Sequence, residues 1–184
     1  YCRESDRGLT RLAPVVQAIK KEFSTFVGLR GFPPKNKQTL DKVYAAGIDL
    51  LNFPLEGFVG FAKKEDDISS ALVYNALEYA AEIFPPGTVW TELFLDTSSI
   101  DPLKDKIDYL TKKKILPLLK LMPPPALKEK DHQHFAETAG YLDQAILSSR
   151  IPLKWLFPQC RYMSALDTKF YLDQPSKAKL NAKP

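Results

Sequence analysis

Soft metal ligands are scarce in this 184-residue chain: Cys2 and Cys160 stand near opposite ends, and His132 and His134 are the only histidines. Cysteines so far apart form no spaced cluster, which argues against a disulfide scaffold or a zinc knuckle within the chain. It fits a reducing, cytoplasmic compartment. Histidines two apart on a helix point to different faces, and no Glu-containing zinc motif surrounds them, so no metal site is expected. Cys160 lies in Phe157-Pro158-Gln159-Cys160-Arg161 with no histidine beside it, the setting of a buried, inert thiol. There is no Gly-rich phosphate loop and no nucleophile elbow. No stretch approaches the roughly 18 consecutive apolar residues of a membrane span. The opening Tyr1-Cys2-Arg3-Glu4 is not a signal peptide. It does not start on methionine, so an amino-terminal segment of a larger protein is expected to precede it.

One-sided charge is scarce as well. Twenty-six basic against 22 acidic residues leave a formal charge of +4. The excess sits in Lys112-Lys113-Lys114, Lys128-Glu129-Lys130 and the tail from Lys177 to Lys183, without interleaved aromatics. That pattern argues for solvated surface and against a nucleic-acid partner.

What is present is an alternation. With 45% hydrophobic residues the chain suffices for one well-buried domain. Helical spacing over about 6–23 (Leu9, Leu12, Val15, Val16, Ile19) carries Pro14 as a first turn or a kink, and leads to a strand, Phe26 to Arg30. A helix over about 36–46 ends on Gly47 as its C′ residue, before the strand Ile48 to Phe53. A helix from Asp66-Asp67 to Phe84 stops at Pro85-Pro86-Gly87 and is followed by the strand Thr88 to Leu95. Leu103, Ile107 and Leu110 mark a fourth helix, and Ile115 to Leu121 its strand. Pro117 has no ladder donor, so this strand should begin after it or lie at an edge. A last helix spans about 128–148. Residues 151–157 read equally as strand or buried turn.

Strands separated by helices of this length form βα units feeding a parallel sheet, with function at the carboxyl ends of the strands. The expected fold is α/β, a partial (β/α) barrel of the TIM type with parallel strands, lacking its amino-terminal βα units. Residues 1–150 form this partial barrel, 151–173 a carboxyl-terminal closing segment and 174–184 a disordered tail. At 184 residues the chain is shorter than the ~250 of a closed barrel.

The run Ala45-Ala46-Gly47-Ile48-Asp49-Leu50-Leu51-Asn52-Phe53-Pro54-Leu55-Glu56 resembles the fourth strand of radical S-adenosylmethionine (SAM) enzymes. Ala76 to Leu93 is similar to the helix and fifth strand of the branch around biotin synthase, and Ile115 to Met122 followed by prolines to the sixth strand. The resemblance covers roughly Leu9 to Pro125 and rests on order and spacing. It implies SAM and a [4Fe–4S] cluster as cofactors, and hydrogen abstraction from a small-molecule substrate by a 5′-deoxyadenosyl radical. The three closely spaced cysteines that hold the family's cluster, and its Gly-Gly-Glu segment, are absent, so cluster ligands are not in this chain and Cys2 is not one. Carried over residue by residue, Glu56 falls where an acidic side chain meets the SAM ribose, and Asn52 on the same strand face lines the cavity below. Thr91 takes a small hydroxyl position, and Phe94 and Leu95 the stretch that meets adenine. Pro54 and Asp96 depart from the family's usual polar residue and glycine.

Without the resemblance, each has a plainer reading. Glu56 serves as a solvated loop carboxylate or a helix-cap partner, and Asn52 as a bonded core amide. Thr91 and Glu92 alternate, so one of them faces a helix layer, and Glu92 suits a structural salt bridge. Arg30, ending its strand, suits either a carboxylate or phosphate ligand or surface pairing. No residue singles itself out as catalytic. The alternatives are a non-catalytic α/β scaffold or binding domain, or an aldolase- or hydrolase-type barrel truncated in the same way.

Overall fold

Helices and strands alternate among the described residues: α1 (Leu9–Glu22), β1 (Gly28–Arg30), α2 (Thr39–Ala45), β2 (Leu50–Asn52), α3 (Ser70–Ile83), β3 (Val89–Leu95), α4 (Asp101–Lys112), β4 (Leu116–Leu121), α5 (Glu129–Ser149) and β5 (Tyr162–Met163). The computed structural model describes residues 6–55, 69–95, 101–121, 129–153 and 162–163. The sheet runs β1-β2-β3-β4-β5 in chain order. The first four strands are parallel, with Arg30 opposite Asn52, Asn52 opposite Trp90 and Phe94 opposite Lys120. This is the α/β arrangement that the alternation implies. The addition is β5, which pairs antiparallel with β4 and lies in the segment expected to close the domain.

Local chemistry sets the boundaries. Pro14 sits inside α1, which begins at Leu9, so it does not mark the first turn. Helix α3 starts later than the Asp66-Asp67 pair suggests, because the Ser69 hydroxyl accepts the Leu72 N–H at 3.2 Å and caps it. Strand β4 starts before Pro117, which pairs with Thr91. The proline's missing donor is tolerated because β5 meets β4 only at Leu119 and Lys120, so among the described residues Pro117 lies at an open edge.

Three helices end the same way. Gly47 N–H bonds the Tyr44 carbonyl and Ile48 N–H that of Val43, the paired bonds of a Schellman ending, with Gly47 at φ +102. Lys114 (φ 62) and Arg150 (φ 52) hold the same left-handed position after α4 and α5, where Ile115 and Ile151 bond back to Leu110 and Ile146.

Side chains alternate across each strand. Leu51, Val89, Thr91, Leu93, Leu95, Pro117 and Leu119 share one face and are all buried. Together with Leu40, Leu77, Ile107, Leu110, Leu142 and Ile146 from the helices they make the core. Successive helices are tied by a repeated device. Tyr79 of α3 donates to Asp41 of α2, Tyr109 of α4 to Glu78 of α3, and Tyr141 of α5 to Asp108 of α4. Each ring also lies under a lysine: Lys37, Lys113 and Lys104 respectively. The helices therefore form one continuous layer, and the other sheet face carries the charged residues together with the buried Leu116 and Leu118.

Candidate functional site

That second face holds Arg30, Asn52, Trp90, Glu92, Phe94 and Lys120. Arg30 and Asn52 are the last residues of β1 and β2, and Lys120 the penultimate residue of β4, so the group gathers toward the carboxyl ends. Glu92 is the hub. Arg30 meets it side-on, Nε to Oε1 at 2.8 Å and Nη2 to Oε2 at 3.0 Å. The Asn52 amide donates to Oε1 at 3.2 Å, and Lys120 Nζ lies 3.5 Å from Oε2. Lys120 also sits over the Phe94 ring, 5.4 Å from its centroid.

Burial is graded across the cluster. Asn52 is 0% and Glu92 1% exposed. The cationic side chains reach outward, Arg30 51% and Lys120 27% exposed. An ionised carboxylate at that depth persists only when paired and hydrogen-bonded, and the Arg30 fork supplies the fixed geometry. A carboxylate only accepts, so it fixes the Asn52 amide with Nδ2 toward Glu92. Asn52 Oδ1 then points away from Glu92 and, among the described residues, accepts no hydrogen bond although it is buried.

The structure brings together some of the residues expected at a cofactor face and separates others. Asn52 and Phe94 share the polar face. Thr91 and Leu95 belong to the opposite one, so Thr91 does not join Asn52 in one cavity. The reason is parity: β3 pairs Trp90 with Asn52, which turns the next residue to the helices. Its hydroxyl donates to the Phe53 carbonyl at 2.8 Å and accepts the Leu55 N–H at 3.1 Å, holding the segment that leaves β2. Glu92 occupies the position beside Asn52 instead. Phe94 and Leu95 do end β3. Glu56 lies outside the described residues, as do Cys2, Cys160, Asp96 and residues 174–184.

Lys120 escaped the sequence reading, although a lone charge in the apolar run Ile115 to Leu121 marks a strand with one polar-facing position. Among the described residues, no set of three or more His, Cys, Asp or Glu is placed to hold a metal ion. No described helix is long and apolar enough to cross a membrane. Compared with protein-family models, with curated proteins and with solved structures, the chain matches none.

Proposed function

We propose that this chain is the SAM-binding part of a radical SAM enzyme, a partial α/β barrel whose polar sheet face carries the cofactor at the carboxyl ends of its strands. One observation carries the reading: four parallel strands follow in chain order, with charged and polar side chains converging at their carboxyl ends on the face away from the helices. In sheets of this kind ligands bind there. The family resemblance of Ala45 to Glu56 and of Ala76 to Leu93 then gives the ligand its chemistry. Asn52 lies at the end of β2, four residues before Glu56, and Phe94-Leu95 at the end of β3. Two cysteines are one short of the three thiolates that the family's cluster needs. The residues present do not fit that cluster, and no step is assigned through it.

A binding domain without chemistry is the second reading. It is favoured by the Arg30–Glu92 fork, which engages both oxygens of Glu92 with the protein's own donors.

Calorimetric titration of the chain with SAM tests the first reading. Saturable binding is expected, and Glu56→Gln should weaken it about tenfold, the worth of a charge-assisted contact to a ribose hydroxyl. Absence of binding, or equal affinity of the variant, would overturn it.

A further inference from the structure

We infer that the rim at the amino-terminal ends of the strands docks on an anionic phospholipid bilayer. Phe23, Phe26 and Leu147 enter the bilayer, and the cations around them meet its headgroups. The inference is independent of the SAM reading, because the Glu92 cluster gathers toward the opposite ends of the strands.

The rim follows from the topology. Strands β1 to β4 are parallel, so helices α1 to α4 each end where the next strand begins. The end of α5 joins them. Lys114 Nζ donates to the Ser149 carbonyl, and the Gly87 turn before β3 packs against Ile151 and Pro152. At the other side of the sheet, Lys20 donates to the Thr25 carbonyl and to Asp49, tying the end of α1 to the start of β2.

Two separate features meet there. The first is apolar exposure. Phe26 (67%), Phe23 (63%) and Leu147 (62%) are the most exposed large apolar side chains among the described residues. All three stand at this rim, the phenylalanines between α1 and β1 and Leu147 in the last turn of α5. Side chains of that size gain free energy on leaving water.

The second is charge. Lys20 and Lys113 are paired with Asp49 and Glu78. Lys21, Lys42, Lys112 and Arg150 are exposed and meet no carboxylate among the described residues. The carboxylates left on the rim are Glu22 and Glu82, so the unpaired charge is positive on balance. Cations at helix carboxyl ends complement the helix dipole, which accounts for the lysines but not for the apolar side chains among them. Single-stranded nucleic acid would use the charge and the phenyl rings, but Leu147 offers bases no stacking surface. A second copy docked about a two-fold axis would set like charges against each other. An anionic bilayer uses every part: aromatic and aliphatic side chains enter it while lysines stay at the headgroups.

The test is sedimentation of the full chain with vesicles of phosphatidylcholine, alone or with about one-third phosphatidylserine. Saturable binding to the anionic vesicles is expected at low salt, weakening at least tenfold on neutral vesicles or at high salt. Phe23→Ser combined with Phe26→Ser should lower the partition coefficient about tenfold. Lys112→Gln should lower it about fivefold. Leu147→Ser gives a second apolar readout that does not depend on the fold of the phenylalanine variant, and should also weaken binding. Val15→Ser, 55% exposed but midway along α1, should leave binding unchanged. No binding to anionic vesicles, or equal binding by both the phenylalanine and Leu147 variants, would overturn the inference. So would a loss of the same size in Val15→Ser. Binding of single-stranded DNA in place of vesicles, or a dimer that the phenylalanine changes dissociate, would overturn it in favour of those occupants.

Discussion

Arg30 reaches across an entire strand to grip Glu92: the arginine ends β1, the glutamate lies in β3, and β2 runs between them. The pair fastens the outer strand β1 to the middle of the sheet. It is also unequal, since one partner is half-exposed and the other is buried.

That inequality predicts unequal costs. Arg30→Met leaves a buried carboxylate with only Asn52 and the more distant Lys120, and should destabilise by about 2–4 kcal/mol. Glu92→Gln leaves cations that water can reach, and should cost about 1–2 kcal/mol. Urea unfolding of both variants checks the order. A larger loss for Glu92→Gln would show that the carboxylate is not the group that depends on its partner.

Gly87 should not tolerate alanine. It holds φ +82 in the turn before β3, and an added Cβ would stand 2.4 Å from the Pro152 carbonyl oxygen, a backbone atom. Positive-φ strain and overpacking together should cost about 2–4 kcal/mol. Gly47→Ala should be milder, because its Cβ meets the flexible Lys20 side chain at 2.9 Å. Denaturant midpoints of the two variants compare them directly.

Arg150 offers the opposite case. An arginine at φ 52 occupies a position that glycine fills without Cβ strain. Arg150→Gly should stabilise the chain by about 0.5–1 kcal/mol, visible as a raised thermal midpoint. An unchanged or lowered midpoint would mean that the exposed arginine makes up the difference elsewhere.

The Tyr109–Glu78–Lys113 group predicts a pH signature. The Tyr109 hydroxyl, and after it Lys113, hold the Glu78 carboxyl below its ordinary value, while Glu78 holds the Tyr109 hydroxyl above its own. A lowered carboxyl contributes stability that is present above its unfolded value, about 4.3, and lost as pH falls through the folded one. A raised phenol contributes stability that is present below its unfolded value, about 10, and lost as pH rises through the folded one. Tyr109→Phe should flatten the acid limb of the stability profile and remove this part of the alkaline limb. The change should be small, because the group lies at the surface.

Thr91 supplies a test of positioning. Thr91→Val leaves the Leu55 N–H without its acceptor and should cost about 1–3 kcal/mol. If SAM binds beyond β2, its affinity should also fall, although Thr91 itself faces the helices. Restoration of both by Thr91→Ser would assign the effect to the hydroxyl.

Element types were legible in the sequence because each rests on local chemistry. Helical spacing of Leu72, Leu77 and Ala80, the Pro-Pro-Gly stop before β3 and glycine at the end of α2 depend on near neighbours in the chain. Ser69 was the better start signal for α3 than the two aspartates, because a hydroxyl bonded to an N–H outweighs charge near a helix end. The site was legible only in part. Asn52 stood out as a polar ending on an apolar strand, Arg30 as a residue with two uses, and Glu92 as a salt-bridge member.

The sequence by itself determined the α/β class, the order of helices and strands, and the side-chain types available at the strand ends, since these follow from periodicity and turn chemistry within a few residues. The tertiary structure alone decided which residue of β3 faces Asn52, because a period of two makes the choice between Thr91 and Glu92 hang on the register between strands. It also decided that Arg30 and Lys120 converge on Glu92 from β1 and β4, and that β5 returns antiparallel. Those relations join residues far apart in the chain, and only the packing of the sheet brings them within reach of one another.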